Sequence, residues 1–161
     1  QDYIRLSAYP KAAMLMKTRV LFLCTGNSAR SQMAEGLLRH LREDLFDVAS
    51  AGTQPRGLHP LAVEVMAEQG IDISQQESTS VHEFEGRTFD YVITLCDRAR
   101  ESCPNVQGLF DTIHWAIDDP AVHDRLVDFK LVVKDLKTRL GYLILIEEKR
   151  RKADEKEKRT V

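Results

Sequence analysis

The stretch LFLCTGNSARSQMAE, residues 21–35, begins as an apolar run, breaks at Cys24, passes through small residues and reaches Arg30. Thr25, Gly26, Asn27, Ser28 and Ala29 separate the cysteine from the arginine. Small residues leave backbone N–H groups uncovered, and such groups can converge as a nest. A helix that begins just after the loop adds its positive N-terminal end, which favours a bound oxyanion. Arg30 contributes a planar fork able to grip two oxygens of that anion. The same field favours the thiolate form of Cys24 and so a nucleophile. Ser31 is placed to donate a further hydrogen bond to the sulfur. The competing reading is a buried strand-end cysteine with Arg30 on the surface of a helix. The neighbouring elements decide which is meant.

Working outward, Arg19–Leu23 reads as a buried strand, and the helical spacing of Met33, Leu37, Leu38 and Leu41 predicts a helix from Ser28 to about Glu43. Phe46–Ser50 is a second short strand closed by Gly52. His59–Gln69 reads as a helix stopped by Gly70 at C′. Phe89–Leu95 is a third strand, and Thr112–Trp115 a fourth. A short helix is expected over 98–103, before Pro104. From about Ala121 to Arg150 the pattern is helical, with Leu126, Phe129, Val132, Val133, Leu136, Leu140 and Leu143 on one stripe and Gly141 as an expected kink. Strands alternating with helices imply right-handed βαβ units. The fold class expected is α/β, a three-layer α/β/α sandwich around a four-stranded parallel sheet. In such sheets ligands bind at the carboxyl ends of the strands, and Cys24 ends the first.

The 161 residues suffice for one domain with a core. The formal net charge of −2 gives no reason to expect a nucleic-acid partner. No apolar run approaches the roughly 20 residues that span a bilayer, and residues 1–17 lack the pattern of a signal peptide. Three cysteines are an odd number for a disulfide framework and fit free thiols in a reducing cytoplasm. Residues 1–16 read as a linker or fusion remnant, 17–146 as the domain, and 147–161 as a solvated, frayed tail with 12 charged residues in 15.

HWAIDDPA, residues 114–121, brings Asp118, Asp119 and a stiffening Pro120 together. Displacing an oxygen from an oxyanion needs a proton for the leaving group, which a carboxyl group beside the anion can supply. Ordinary turn chemistry explains Asp-Asp-Pro equally well at this stage. TLCDRARESCP adds Cys96 at the end of the third strand and Cys103 seven residues on. Their spacing is not that of a zinc site, and no metal is expected. Packing cysteines and a redox relay both remain open.

CTGNSARSQMAEG followed by SAGT (50–53), with VITLCD, the cysteine before Pro104 and HWAIDDPA, resembles the low-molecular-weight protein tyrosine phosphatase superfamily, and within it the thioredoxin-coupled arsenate reductases. The resemblance runs from about Lys17 to about Leu140. It implies that Thr25 to Ser31 bind the oxyanion, that Cys24 attacks with Arg30 as anion clamp, and that Asp119, the aspartate before the proline, is the acid. It leaves Asp118 as a structural neighbour and His114 and Trp115 as packing groups. It further implies arsenate as substrate, with phosphate or sulfate as mimics, in arsenic detoxification. In the implied relay Cys96 forms a disulfide with Cys24 and Cys103 then pairs with Cys96. Thioredoxin restores the thiols, and segment 97–110 moves to let Cys103 reach Cys96. Asn27 would be a left-handed loop residue anchored by Ser50. Some of these reductases hold potassium near that serine with a glutamate matching Glu35 and an acid at the position of Thr79. The threonine there does not imply a tight potassium site.

Two other readings stand beside this one. A low-molecular-weight phosphatase acting on phosphotyrosine or small phosphoesters needs only Cys24, Arg30 and Asp119. Its relatives often place a second cysteine where Ala29 stands and aromatic residues after the Asp-Pro, where Ala121, Val122 and His123 stand here. A non-catalytic anion-binding module would need neither thiol nor acid.

Overall fold

The computed structural model describes residues 16–96 and 106–160. The expected helix at 98–103, Cys103 and most of the segment expected to move lie outside the described residues.

β1 (Thr18–Cys24) is central because its neighbours bury both of its faces. Val20, Phe22 and Cys24 join the larger core on one side, while Leu21 and Leu23 join a smaller one on the other. A strand covered on both faces reads as a continuous apolar run, as RVLFL does. β2 (Phe46–Gly52) and β3 (Phe89–Thr94) flank it in parallel, and β4 (Gly108–His114) completes the order β2-β1-β3-β4. The fourth strand therefore starts before the expected Thr112. Edge position and an exposed middle hide its first residues from a reading based on apolar runs.

α1 (Arg30–Arg42) buries Met33, Leu37 and Leu38 in the larger core. α2 (Pro60–Glu68) begins with His59 as N-cap and Pro60 in its first turn, and the chain leaves it through Gly70 at φ 75°. α3 (Leu126–Thr160) lays Phe129, Val132, Val133, Leu136, Leu140 and Leu143 into the same core. Gly141 does not interrupt it.

The expected frayed tail is corrected by this helix. α3 continues through 147–160, and Glu147 is fully buried. Thr18 Oγ1 and Tyr91 Oη donate to its carboxylate, the latter at 2.9 Å. Arg150 Nη2 donates at 2.6 Å and Arg151 Nε at 3.3 Å. Burial pushes the Glu147 carboxyl up, but these donors outweigh it and hold it below the usual carboxylate range. Residues 152–160 are exposed, as a solvated end would be.

Parallel registry brings the ends of all four strands to one edge of the sheet. Cys24 lies opposite Gly52, Leu23 opposite Thr94, and Thr94 opposite His114.

Candidate active site

At that edge opens a cleft of about 640 Å³ lined by the 24–30 loop, Arg56, His59, Cys96 and residues 116–121. Cys24 is buried at its floor with 3% exposure. Asn27 N donates to Cys24 Sγ at 3.2 Å, and Ser31 Oγ lies 2.8 Å from the same sulfur.

Asn27 decides which way that second contact runs. Its backbone is left-handed, φ 44°, and its side chain is fully buried. Thr79 N donates to Asn27 Oδ1 at 2.8 Å, which fixes the amide orientation. Asn27 Nδ2 therefore donates both protons, to Ser31 Oγ at 2.8 Å and to Ser50 Oγ at 2.9 Å. Ser31 accepts there and keeps its own proton for Cys24 Sγ, and Ser50 donates on to Glu35 Oε1 at 2.9 Å. The sulfur is thus met by two donors, the arrangement that suits a thiolate.

Two residues that sequence reasoning passed over support the loop. Gln32 Nε2 donates to Asn27 O at 3.0 Å, and Ser78 Oγ donates to the same carbonyl at 3.0 Å. Gly52 is a third. A Cβ there would stand 2.6 Å from Thr25 O and 2.8 Å from Asn27 N, both backbone atoms that cannot yield. The smallness of SAGT is required by this close approach.

α1 points its N-terminus at the cleft. Ala29 offers no side-chain cap and the first turn holds no acid, so the helix end keeps its positive character toward the cleft. Arg30 opens the helix, and its Nη1 donates to Ile117 O at 2.8 Å, which ties it to the loop carrying Asp118 and Asp119. Both aspartates are exposed and line the cleft. Asp119 Oδ1 accepts from Ala121 N at 3.0 Å and so caps the 3₁₀ turn Pro120–Val122.

Cys96 enters from the end of β3. Leu95 N donates to Leu23 O at 2.8 Å, which carries the third strand alongside the first up to its end. Cys96 Sγ lies 3.2 Å from Thr25 Oγ1, and Cys24 and Cys96 are both free thiols. His114 Nδ1 lies 2.8 Å from Thr94 Oγ1, away from the cleft lining. Trp115 packs in the core with its ring 6.2 Å from Phe22.

Arg56 and His59 carry no motif signal, yet both line the cleft. Arg56 sits in an irregular Pro-Arg-Gly stretch, and His59 is visible in sequence only as the residue before a helix-starting proline. Among the described residues no three His, Cys, Asp or Glu are grouped to hold a metal ion. The Glu35 carboxylate, expected from the resemblance to sit near a doubtful potassium site, is engaged within the protein. It accepts from Ser50 and pairs with Arg39 Nη1 at 3.1 Å, while Thr79 turns its backbone N–H, not an acid, toward Asn27.

This cradle, nucleophile and parallel sheet define a class. The family of low molecular weight phosphotyrosine protein phosphatases matches residues 19–157, and the chain belongs to it. Within it, the arsenate reductase of Shouchella clausii (strain KSM-K16) is 47% identical over 107 residues, 66% of this chain and 77% of that protein. A solved arsenate reductase in its oxidised state superposes with TM-score 0.74 at 34% identity, covering 81% of this chain and 98% of that one. The thioredoxin-dependent arsenate reductase of Corynebacterium glutamicum superposes with TM-score 0.68 at 27% identity, covering 91% and 70%. Among the described residues no helix is long and apolar enough to cross a membrane.

Proposed function

We propose that this chain reduces arsenate to arsenite through a thiol relay recharged by thioredoxin. The observation that carries the reading is a second free thiol, Cys96, in the same cleft as the cradled Cys24. A phosphatase has no use for it. Arsenate, a tetrahedral oxyanion, sits against the 25–31 backbone and the Arg30 fork. Cys24 Sγ attacks arsenic and an oxygen departs as water, with its proton from Asp119. Cys96 Sγ then attacks Cys24 Sγ. The electron pair of the sulfur–arsenic bond goes to arsenic, arsenite leaves, and a Cys24–Cys96 disulfide remains. Cys103, assigned from the sequence motif, attacks Cys96 and frees Cys24. A thioredoxin dithiol reduces the resulting Cys96–Cys103 disulfide and is itself oxidised. Its potential of about −270 mV suits a cytoplasmic donor, and the cytoplasm is the compartment this reading assigns to the enzyme.

The cradle and acid also serve phosphoester hydrolysis, so slow phosphatase activity accompanies the main reaction. The cleft is lined by no Phe, Tyr or Trp among the described residues, which gives a phosphotyrosine ring nothing to stack on.

The test couples the protein to thioredoxin, thioredoxin reductase and NADPH and follows NADPH loss on adding arsenate. Arsenate-dependent turnover is expected in the wild type and is lost in Cys96→Ala and in Cys103→Ala. Absence of turnover, with brisk aryl phosphate hydrolysis by all three proteins, makes the chain a phosphatase.

A further inference from the structure

The loop that carries Asp119 is held at one end by Arg30 of the anion cradle and at the other by His59 beside it. At its start Arg30 Nη1 donates to Ile117 O at 2.8 Å. At its end His59 Nε2 lies 3.1 Å from Asp124 Oδ1. Asp124 stands at φ 50°, a left-handed backbone that closes the loop sharply.

His59 is held by three contacts, one of them to the cradle. Its backbone N donates to Ser28 O at 3.0 Å. Its Nδ1 accepts from Leu61 N at 3.1 Å, capping α2. Its ring packs on Phe129 with centroids 4.8 Å apart. Because Nδ1 accepts, the neutral ring carries its proton on Nε2 and donates it to Asp124. The His59 side chain is 19% exposed and Asp124 is 74% exposed. A pair that open adds little to stability, so its consequence is geometric.

We propose that His59, acting through Asp124, is a positioning residue that sets the Asp119 carboxyl over the anion cradle. The inference rests on reading Asp119 as the proton donor. Ile117 and Pro120 are buried and Ala121 packs on the core, so the loop is seated without His59. The Asp124 contact fixes its far end, and displacement of a catalytic group by about 1 Å costs up to about a hundredfold in rate.

The test compares hydrolysis of p-nitrophenyl phosphate, whose leaving group needs little protonation, with that of phenyl phosphate, whose leaving group needs more. Asp124 carries the experiment, since it is exposed and its loss leaves the α2 cap in place. Asp124→Ala is expected to lower kcat for phenyl phosphate about tenfold more than for p-nitrophenyl phosphate, with inhibition by inorganic phosphate unchanged. Asp124→Asn keeps the accepting oxygen and tolerates the left-handed backbone, so it is expected to behave as wild type. Asp119→Asn is expected to show the same selectivity more strongly. If Asp119→Asn is selective while Asp124→Ala slows both substrates equally, the positioning role is overturned and the acid stands. If Asp119→Asn leaves the ratio of the two rates unchanged, the acid assignment falls and takes the inference with it.

Discussion

Arg30 and Arg56 illustrate how two like side chains in one cleft take different parts. Arg30 is anchored on Ile117 O and sits at the helix end, where geometry counts. Arg56 is exposed at the rim, packed beside Gly26, and among the described residues no carboxylate pairs with it. A rim charge acts by attraction at a distance, and salt screens it with a Debye length of about 10 Å at 0.1 M. Arg56→Ala is therefore expected to raise KM for arsenate several-fold at low ionic strength, with kcat unchanged. The difference from wild type should vanish near 1 M salt. Steady-state kinetics across a salt series check this, and a fall in kcat at all salt concentrations would give Arg56 a part in the chemistry.

At the scale of an element, α3 shows how a charge-rich segment becomes structural. Glu147 turns inward to Thr18 and Tyr91 at the start of the sheet, and Arg151 Nη2 donates to Leu45 O at 3.2 Å. Residues 147–151 of the helix are thereby fastened to β1, β3 and the end of the α1–β2 connection. Glu147→Gln leaves Arg150 and Arg151 without their shared carboxylate and is expected to cost about 3 kcal/mol. The sign of the pH dependence follows from the lowered carboxyl. A group whose folded value lies below its unfolded value of about 4.3 stabilises the protein fully above that pH and loses its contribution as pH falls through the folded value. Urea titrations at pH 7 and below pH 4 should find the wild type losing stability toward acid, and Glu147→Gln losing less. Equal acid losses in both proteins would remove Glu147 from the account.

For the whole molecule, parallel strand ends, a helix N-terminus and a guanidinium converge on one cleft. No single element supplies the site, so ligand binding reports on all of them. Reduced protein with phosphate at about a hundred times its Kd gains about 2.7 kcal/mol. At 161 residues that raises Tm by roughly 5–10 °C. Cys24→Ser is expected to keep most of the shift, because the nest and Arg30 remain, and Arg30→Ala to lose it. A full shift in Arg30→Ala, read by calorimetry, would place the anion elsewhere.

Much of this was legible in sequence because it depends on local chemistry. The α/β order shows in the alternation of apolar strands and amphipathic helices. The cradle shows in small residues between a strand-end cysteine and Arg30, a spacing set by how short a loop can wrap a tetrahedral anion. Gly70 and the His59-Pro60 pair marked the ends of α2 through backbone conformation alone. The remainder depends on residues far apart in the chain. Ser31 beside Cys24 was legible, but the direction of their hydrogen bond is fixed only by Thr79 holding the Asn27 amide, 52 residues away. His59 reaches Asp124 across 65 residues, and Glu147 reaches Thr18 across 129. A histidine before a proline and a glutamate in a charged run look alike whether they are exposed or joined to a distant partner. Only the packing of α3 and the 117–124 loop against the sheet, which sets dielectric and distance together, gives each of them its role.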